Sequence, residues 1–369
     1  MVLESKATAS AEDLVAAERR GPTMKEAREI LRGLFDHRPG VYWIDFLISV
    51  TVAWGALAGA ISRTAIDFQM VACIVISSFA LLRAVLFLHE ITHFRRGVMP
   101  GFQLIWDLLV GVPMLLPSFM YVGGAHTDHH KRHLYGTIKD PEYLPLGFFS
   151  RWRIMVFLLE TLFVPLLLIL RFGLLAPVSW LLPPLRRLLI ERASTLVINV
   201  DFRRRQPSPE DNRRWLALEV MMFTWVVGVV WMLTTGVLPL RALGIWYAMA
   251  AFMALINQFR TLTAHLYEND GAGMSTEAQL LDSVNVRGCF GLTELVFPVG
   301  LKYHALHHFV PDMPYHSLAE AHQRLMKSLP VGSLYRDTEY AGGIAVLLRF
   351  WRHGKNGGAA PAAWKRTES

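Results

Sequence analysis

The chain has 369 residues, 53% apolar and 18% charged, with a formal charge of +7 and two cysteines. That apolar share and a positive mean hydropathy put the protein at a membrane. Two cysteines exclude a disulfide framework or a thiolate metal site. The excess charge reads as headgroup contact and loop bias, not as nucleic-acid binding.

Taken from the start, residues 1–40 are polar and basic and hold no apolar core, so no cleavable signal peptide is expected there. Residues 1–22 and the Gly/Ala-rich tail after Arg352 are expected to be mobile. Two apolar runs follow, Val41–Ile61 and Ile66–Leu88, each long enough to cross a ~30 Å hydrocarbon core. The second runs straight into His89-Glu-Ile-Thr-His93. Val98–Tyr121 carries Pro100, Pro113 and Pro117 and is expected to lie at the interface. Box two, His126-Thr-Asp-His129-His130, comes next.

Leu158–Ile190 is strongly apolar but interrupted by Glu160, Arg171, Arg186, Arg187 and Pro183-Pro184. It is expected to form a re-entrant or interfacial hairpin, with a second transmembrane pair as the rival. Leu216–Thr235 and Leu238–Ile256 are the third and fourth spans. His265 follows in Thr-Ala-His-Leu, and box three is His304-Ala-Leu-His307-His308. The fold expected is an all-α membrane protein with about four transmembrane helices in two pairs, plus interfacial or re-entrant helices and a helical cap carrying the histidines. One catalytic domain over 41–330 is expected, between an N-terminal segment 1–40 and a C-terminal tail 331–369.

Nine of the fourteen histidines fall in this pattern. Residues at i, i+3 and i+4 lie on one helix face, so each box is expected to aim its imidazoles at a common point. Nine ligands are too many for one ion; two ions at four or five ligands each is the natural count. To meet at one site, all nine must lie on one side of the membrane, which requires an even number of crossings between boxes. Lys6, Arg19, Arg20, Lys25, Arg28, Arg32, Arg38, the 201–205 run and Arg213-Arg214 flank the histidine side, whereas only Arg63 and Arg241 lie in the opposite turns. The positive-inside rule therefore puts the boxes and both termini in the cytoplasm. Pure imidazole sites suit zinc, copper, iron or nickel. A large histidine set at a membrane suggests redox chemistry, and iron with dioxygen is the pairing able to break an unactivated C–H bond.

The three boxes, their order and their placement after helix pairs resemble the integral-membrane fatty-acid desaturase and hydroxylase superfamily over roughly residues 40–325. Tyr303-His-Ala-Leu-His-His-Phe-Val-Pro-Asp-Met-Pro-Tyr-His316 looks like the third box of bacterial members. Tyr135-Gly-Thr-Ile-Lys-Asp-Pro-Glu-Tyr143 is similar to the subgroup that includes dihydrorhizobitoxine desaturase. The resemblance implies two iron ions held by His89, His93, His126, His129, His130, His265, His304, His307 and His308. It also implies dioxygen as co-substrate, a lipid acyl substrate and a separate electron donor of ferredoxin or cytochrome b5 type with its reductase. The flanking phrases point to desaturation, with hydroxylation or a small amino-acid-like substrate as alternatives. His265 matches the extra histidine of animal stearoyl desaturases. Their water-mediated asparagine ligand, four residues earlier, is replaced by Thr261, with Asn257 a turn further back.

The same residues admit rival readings. His89-Glu90-Ile-Thr-His93 is an HExxH motif, which places Glu90 as the general base of a membrane zinc protease; that reading leaves the remaining histidines unexplained, as does a metal or haem carrier. His37 in Asp-His-Arg-Pro-Gly lacks a surrounding haem domain. His133, His316 and His322 read as solvated or structural. Asp128, Asp140, Glu294 and Asp312 are candidates to orient ligating imidazoles.

Overall fold

The computed structural model describes residues 20–95, 97–289, 291–353, 361, 363 and 364. The mobility expected for 1–22 and for the tail after Arg352 falls mainly outside this range. The protein is an all-α membrane protein. Its long helices are α1 (Pro39–Ser62), α2 (Phe68–His93), α4 (Pro209–Thr234) and α5 (Arg241–Leu262), with α3 an interrupted helical stretch, Arg151–Leu181. Pro39 opens α1 at the position where its missing N–H costs nothing. Asp67 caps α2 by accepting from Met70 N at 2.8 Å. Ser208 caps α4 from Asp211 N at 3.1 Å, with Pro209 at its first position.

These helices are apolar nearly all round, as lipid contact requires. Ile44, Leu47, Ile48 and Val52 on α1, and Val227, Val230 and Trp231 on α4, are exposed on the bare protein. So large an apolar surface is stable only against hydrocarbon. Where polar groups enter, they have partners. Arg83 on α2 donates from Nε to Asp45 on α1 at 2.6 Å. Ser77 Oγ donates to the Ala53 carbonyl at 2.8 Å, and Ser78 Oγ to that of Met249 at 3.1 Å, which ties α2 to α1 and α5.

Five helices are candidate spans among the described residues, where about four were expected. α3 is long and apolar enough to be a fifth candidate, and the pair Phe102–Met114 and Ser118–His129, bent by 87°, is a possible sixth. The charges that argued against a span in Leu158–Ile190 are accommodated rather than expelled. A 3-10 turn sits at Glu160–Phe163 and a π turn at Leu170–Leu175. Gln258 Nε2 donates to the Phe157 carbonyl at 2.9 Å and Tyr247 OH to that of Leu162 at 2.7 Å, so the first half of α3 runs antiparallel to α5. Arg171 then donates to the Ala193 carbonyl at 2.9 Å and to Glu219 at 2.8 Å, closing a helical hairpin that ends at Pro183–Arg192. Trp180 Nε1 and Arg186 donate to the same carboxylate. Such a hairpin keeps the crossings between box two and His265 even, as one common histidine cluster requires.

The segment after box three returns over the cap. Asn285–Val286 (β1) pairs in parallel with Glu339–Tyr340 (β2), and helix Gly343–His353 follows. An aromatic cluster of Tyr42, Phe46, Phe87, Phe94, Phe102 and Tyr315 joins α1 and α2 to the loop after box three; the Tyr42 and Tyr315 rings lie 4.9 Å apart.

Glu219 is a single carboxylate facing two arginines in the apolar layer. Glu219→Ala is expected to cost roughly 3–5 kcal/mol by stranding Arg171 and Arg186. The loss should show as a lower thermal midpoint in detergent, and an unchanged midpoint would mean that the pair contributes nothing.

Candidate metal centre

The nine patterned histidines meet at one end of the helix pack in two groups. The first is His89, His93, His126, His130 and His307; the second is His129, His265, His304 and His308. Within each group the candidate ligand nitrogens lie within 4.8 Å of one another. This corrects the expectation that each box serves one point. His126 and His130 are i and i+4, as are His304 and His308, and each pair stays together. His129 and His307, the middle residues, are turned by about 100° from the histidine that follows them and cross to the other group. Boxes two and three therefore each serve both groups, in mirrored fashion.

Local structure explains the placement. His89 and His93 occupy the last turn of α2. Ala125–His129 carries box two, and His304–Phe309 carries box three. The Leu306 N–H on that short helix is taken by Asn285 Oδ1 at 3.2 Å, which ties box three to β1. His265 lies beyond α5 on extended backbone bridged to Ser283. Arg204 donates to the carbonyls of Phe119, Ser194 and Val122, and so clamps the chain that enters box two.

The outward ring nitrogens are anchored. His129 Nδ1 lies 2.9 and 3.0 Å from the Asp140 carboxylate oxygens, which can only accept. Asp140 is itself held by Gly136 N and Glu142 N. His126 Nδ1 lies 2.8 Å from the Tyr121 hydroxyl and 3.2 Å from both oxygens of Glu142. His265 Nδ1 lies 2.8 Å from the hydroxyl of Tyr135, which donates onward to Asp282 at 2.8 Å. Tyr143 donates to the other Asp282 oxygen at 3.0 Å. Burial raises the carboxyl of Glu142 to about 7 and that of Asp282 to about 6. An imidazole whose Nδ1 donates has its lone pair at Nε2.

Those lone pairs face inward at each other. His129 Nε2 and His265 Nε2 are 3.3 Å apart, and both are bare. The other Nε2 pairs lie at 2.9 Å (His304–His265), 3.0 Å (His130–His126) and 3.1 Å (His126–His93, His307–His130, His308–His304). An ion bonded to imidazole nitrogens at ~2.1 Å sets neighbouring ligand nitrogens about 3.0–3.4 Å apart. Both nitrogens of His89 are buried without a hydrogen-bond partner among the described residues, with Glu90 Oε1 3.7 Å from Nδ1. Burial, and after it the charge of neighbouring groups, holds His130, His265, His304, His307 and His308 well below the ordinary imidazole pKa, in the neutral ligating form. The residues present thus fit two cations of the imidazole-binding class.

Of the carboxylates weighed as orienting groups, only Asp140 serves. Asp128 pairs with Lys131, Glu294 with Lys302, and Asp312 with Arg28 and Arg95. Glu142, Asp282, Tyr121 and Tyr135 take the other positions; Tyr121 and Asp282 lie in no motif, while Tyr135, Asp140, Glu142 and Tyr143 all lie in the phrase that follows box two. His133 is exposed. His316 accepts from Arg38 N, and His322 contacts Tyr335 and Glu339, both away from the cluster. His37 packs on Tyr42 and Phe94. Asn257 Oδ1 is taken by Arg260. Glu90 accepts from Tyr42 OH at 2.7 Å and Tyr315 N at 3.2 Å, so it braces α2 from behind and lacks the pose of a protease base.

Comparison with known proteins agrees with this geometry. Residues 67–339 match the fatty acid desaturase family, and the chain belongs to that family. A ceramide hydroxylase of Caulobacter vibrioides (strain NA1000 / CB15N) is 40% identical over 328 residues, covering 89% of this chain and 93% of that protein. The protein is therefore an oxidoreductase of the membrane desaturase and hydroxylase superfamily.

The grouping predicts selective metal loss. Iron-loaded His265→Ala should hold close to one ion per chain where the unmodified protein holds close to two. Two ions retained would break the assignment of His265 to its own group. A second outcome concerns pH. Burial holds the folded pKa values of His126, His130, His265, His304, His307 and His308 below the ~6.5 of the unfolded chain, while the Asp140 carboxylate outweighs burial at His129 and raises it. The unfolded state therefore takes up protons first as pH falls, and metal-free protein should lose stability as pH drops through ~6.5. A thermal midpoint that stays flat from pH 7.5 to 5.5 would contradict the neutral-imidazole assignment.

Proposed function

We propose that the protein is an oxygen-dependent di-iron hydroxylase acting on a ceramide-type lipid, with electrons from a separate ferredoxin or cytochrome b5 type donor and its reductase. The observation that carries this reading is 40% identity to a ceramide hydroxylase across nearly the whole of both chains. The ligands are His89, His93, His126, His130 and His307 for one ion and His129, His265, His304 and His308 for the other. Iron held there supplies the dioxygen activation and electron transfers that break an aliphatic C–H bond. The chain's own groups do the rest. Asp140, Glu142 and the Tyr135–Asp282 pair hold the imidazoles in one tautomer. The aromatic wall of Tyr42, Phe87 and Phe102 keeps water from the back of α2.

The lipid class has a second support. An apolar cavity of about 580 Å³ opens among the far halves of α1, α4 and α5, lined by Trp54, Leu57, Leu115, Trp225 and Trp246. Its walls suit a hydrocarbon tail. The net reaction converts C–H, dioxygen, two electrons and two protons to C–OH and water. The second reading is desaturation, favoured by the phrases around boxes two and three; a small amino-acid-like substrate has no support from the relative. The catalytic unit is 41–330, with 1–40 before it and 331–369 after it. The basic loops support a location of the boxes and both termini on the cytoplasmic side of a bacterial inner membrane.

Lipid profiling of a host with and without the protein tests this reading. Ceramide species heavier by one oxygen atom are expected, dependent on dioxygen and iron; species lighter by two hydrogens would make the protein a desaturase. In the same assay His129→Ala should abolish turnover, and Glu90→Gln should keep at least about a tenth of it, because Glu90 hydrogen-bonds to Tyr42 and Tyr315 and reaches His89 Nδ1 only at 3.7 Å. The reverse pattern would restore the zinc-protease reading.

A further inference from the structure

Asn257, Arg260 and Thr261 stand at i, i+3 and i+4 on the last turns of α5, on one helix face, four residues before His265. All three are part-buried. Arg260 donates from Nε and Nη2 to Asn257 Oδ1, both at 3.1 Å, and from Nη2 to Thr261 Oγ1 at 3.3 Å. Its Nη1 has no hydrogen-bond partner and its charge no ion-pair partner among the described residues. The charge of the guanidinium is felt by Tyr121, Tyr267 and Glu142; Tyr121 and Glu142 back His126 of the second box, and Tyr267 packs on His265. Its charge also reaches His265 and His304 of the second group.

This turn is held rigidly. Tyr267 has a φ of 56°, a conformation costly for a bulky residue, and its buried hydroxyl donates to the Thr261 carbonyl at 3.0 Å. A guanidinium kept near the metal groups with no ion pair among the described residues, and only the carboxyl of Glu142 near its charge, favours a further polar group at its free Nη1. A substrate oxidised in mid-chain would present only methylenes there. The trio offers donors in Arg260 Nη1 and the Thr261 hydroxyl and an acceptor in Thr261 Oγ1, while Asn257 Oδ1 is occupied by Arg260 and fixes its position. An amide supplies both complements, a carbonyl acceptor and an N–H donor, whereas a carboxylate only accepts.

We infer that Asn257, Arg260 and Thr261 grip the amide of the lipid substrate, which places the oxidised carbon within a few bonds of that amide and not in mid-chain. The inference rests on the proposed lipid oxidation for its regiochemistry, while its binding component stands independently. The tail then runs away from the amide, between the spanning helices.

The test uses the full-length, iron-loaded protein in lipid nanodiscs. It is titrated with a short-chain ceramide bearing a fluorophore at the end of its acyl chain, with an equally labelled hydrocarbon lacking the amide, and with the matching free fatty acid. The unmodified protein should bind the ceramide at least about tenfold more tightly than the hydrocarbon. Arg260→Gln should lose most of that preference with iron content unchanged, Thr261→Val should weaken it, and Arg260→Lys should restore part of it. Equal ceramide affinity in Arg260→Gln and the unmodified protein overturns the inference, as does tighter binding of the free acid. Should Arg260→Gln fail to hold iron, Arg260→Lys and Thr261→Val decide on the same readout, and an unaltered preference in both overturns it. Fragment mapping of the product gives the second arm: a hydroxyl close to the amide supports the inference, and one in mid-chain overturns it. Ceramide bound through Arg260 but never oxidised would sink the proposed function and leave the binding inference standing.

Discussion

Bare imidazole lone pairs pointed at one another are the constraint on which the rest of the structure depends. The His129 and His265 Nε2 atoms, 3.3 Å apart, repel unless a cation sits between them. Each is turned inward because its Nδ1 is occupied, by Asp140 in one case and by the Tyr135–Asp282 pair in the other. The carboxylates also supply negative charge to offset that of bound ions in a buried place. Without those outer partners the rings are free to rotate and pair with one another, and the cavity for an ion disappears.

The helix pack serves this requirement by bringing distant segments to one plane. α2 and α5 deliver His89, His93 and His265 at or just past their ends. Two short helices, fixed by Arg204 and by Asn285, deliver the rest. The split of each HxxHH box between the two groups has a structural consequence. Box two cannot shift to favour one ion without disturbing the other, since His126 and His130 serve the first group and His129 the second. The two sites are thus mechanically coupled through two turns of helix, which suits chemistry that needs both at a fixed separation.

Much of this was legible in the sequence. The histidine spacing identified all nine residues of the cluster, and the apolar runs matched α1, α2, α4 and α5 within a few residues. Two features were not. The division into five and four follows from which residues share a helix face at i+4 and which do not, and a box read as one face hides it. The groups behind the rings are separated too widely for local pattern: Tyr135 meets Asp282 across 147 positions. The charges in Leu158–Ile190 interrupt an apolar run, and their partners lie far off in the sequence. In the structure Arg171 finds Glu219, 48 positions away, and no local rule announces that partner.

Hydroxylation and desaturation begin with loss of the same hydrogen atom and part according to where the neighbouring carbon sits. The scaffold that holds the metal groups is shared by both outcomes, so the histidines cannot decide between them. What can decide is whatever fixes the substrate along its own length. Apolar walls such as Trp54, Trp225 and Trp246 hold a methylene chain without setting its register, because every methylene is alike. A directional contact at one end does set it. Arg260 and its neighbours are polar, fixed by the Tyr267 turn and adjacent to the second histidine group. If Arg260 grips the substrate as proposed, register, and with it the choice between the two outcomes, is a property of the head of the lipid and not of its tail.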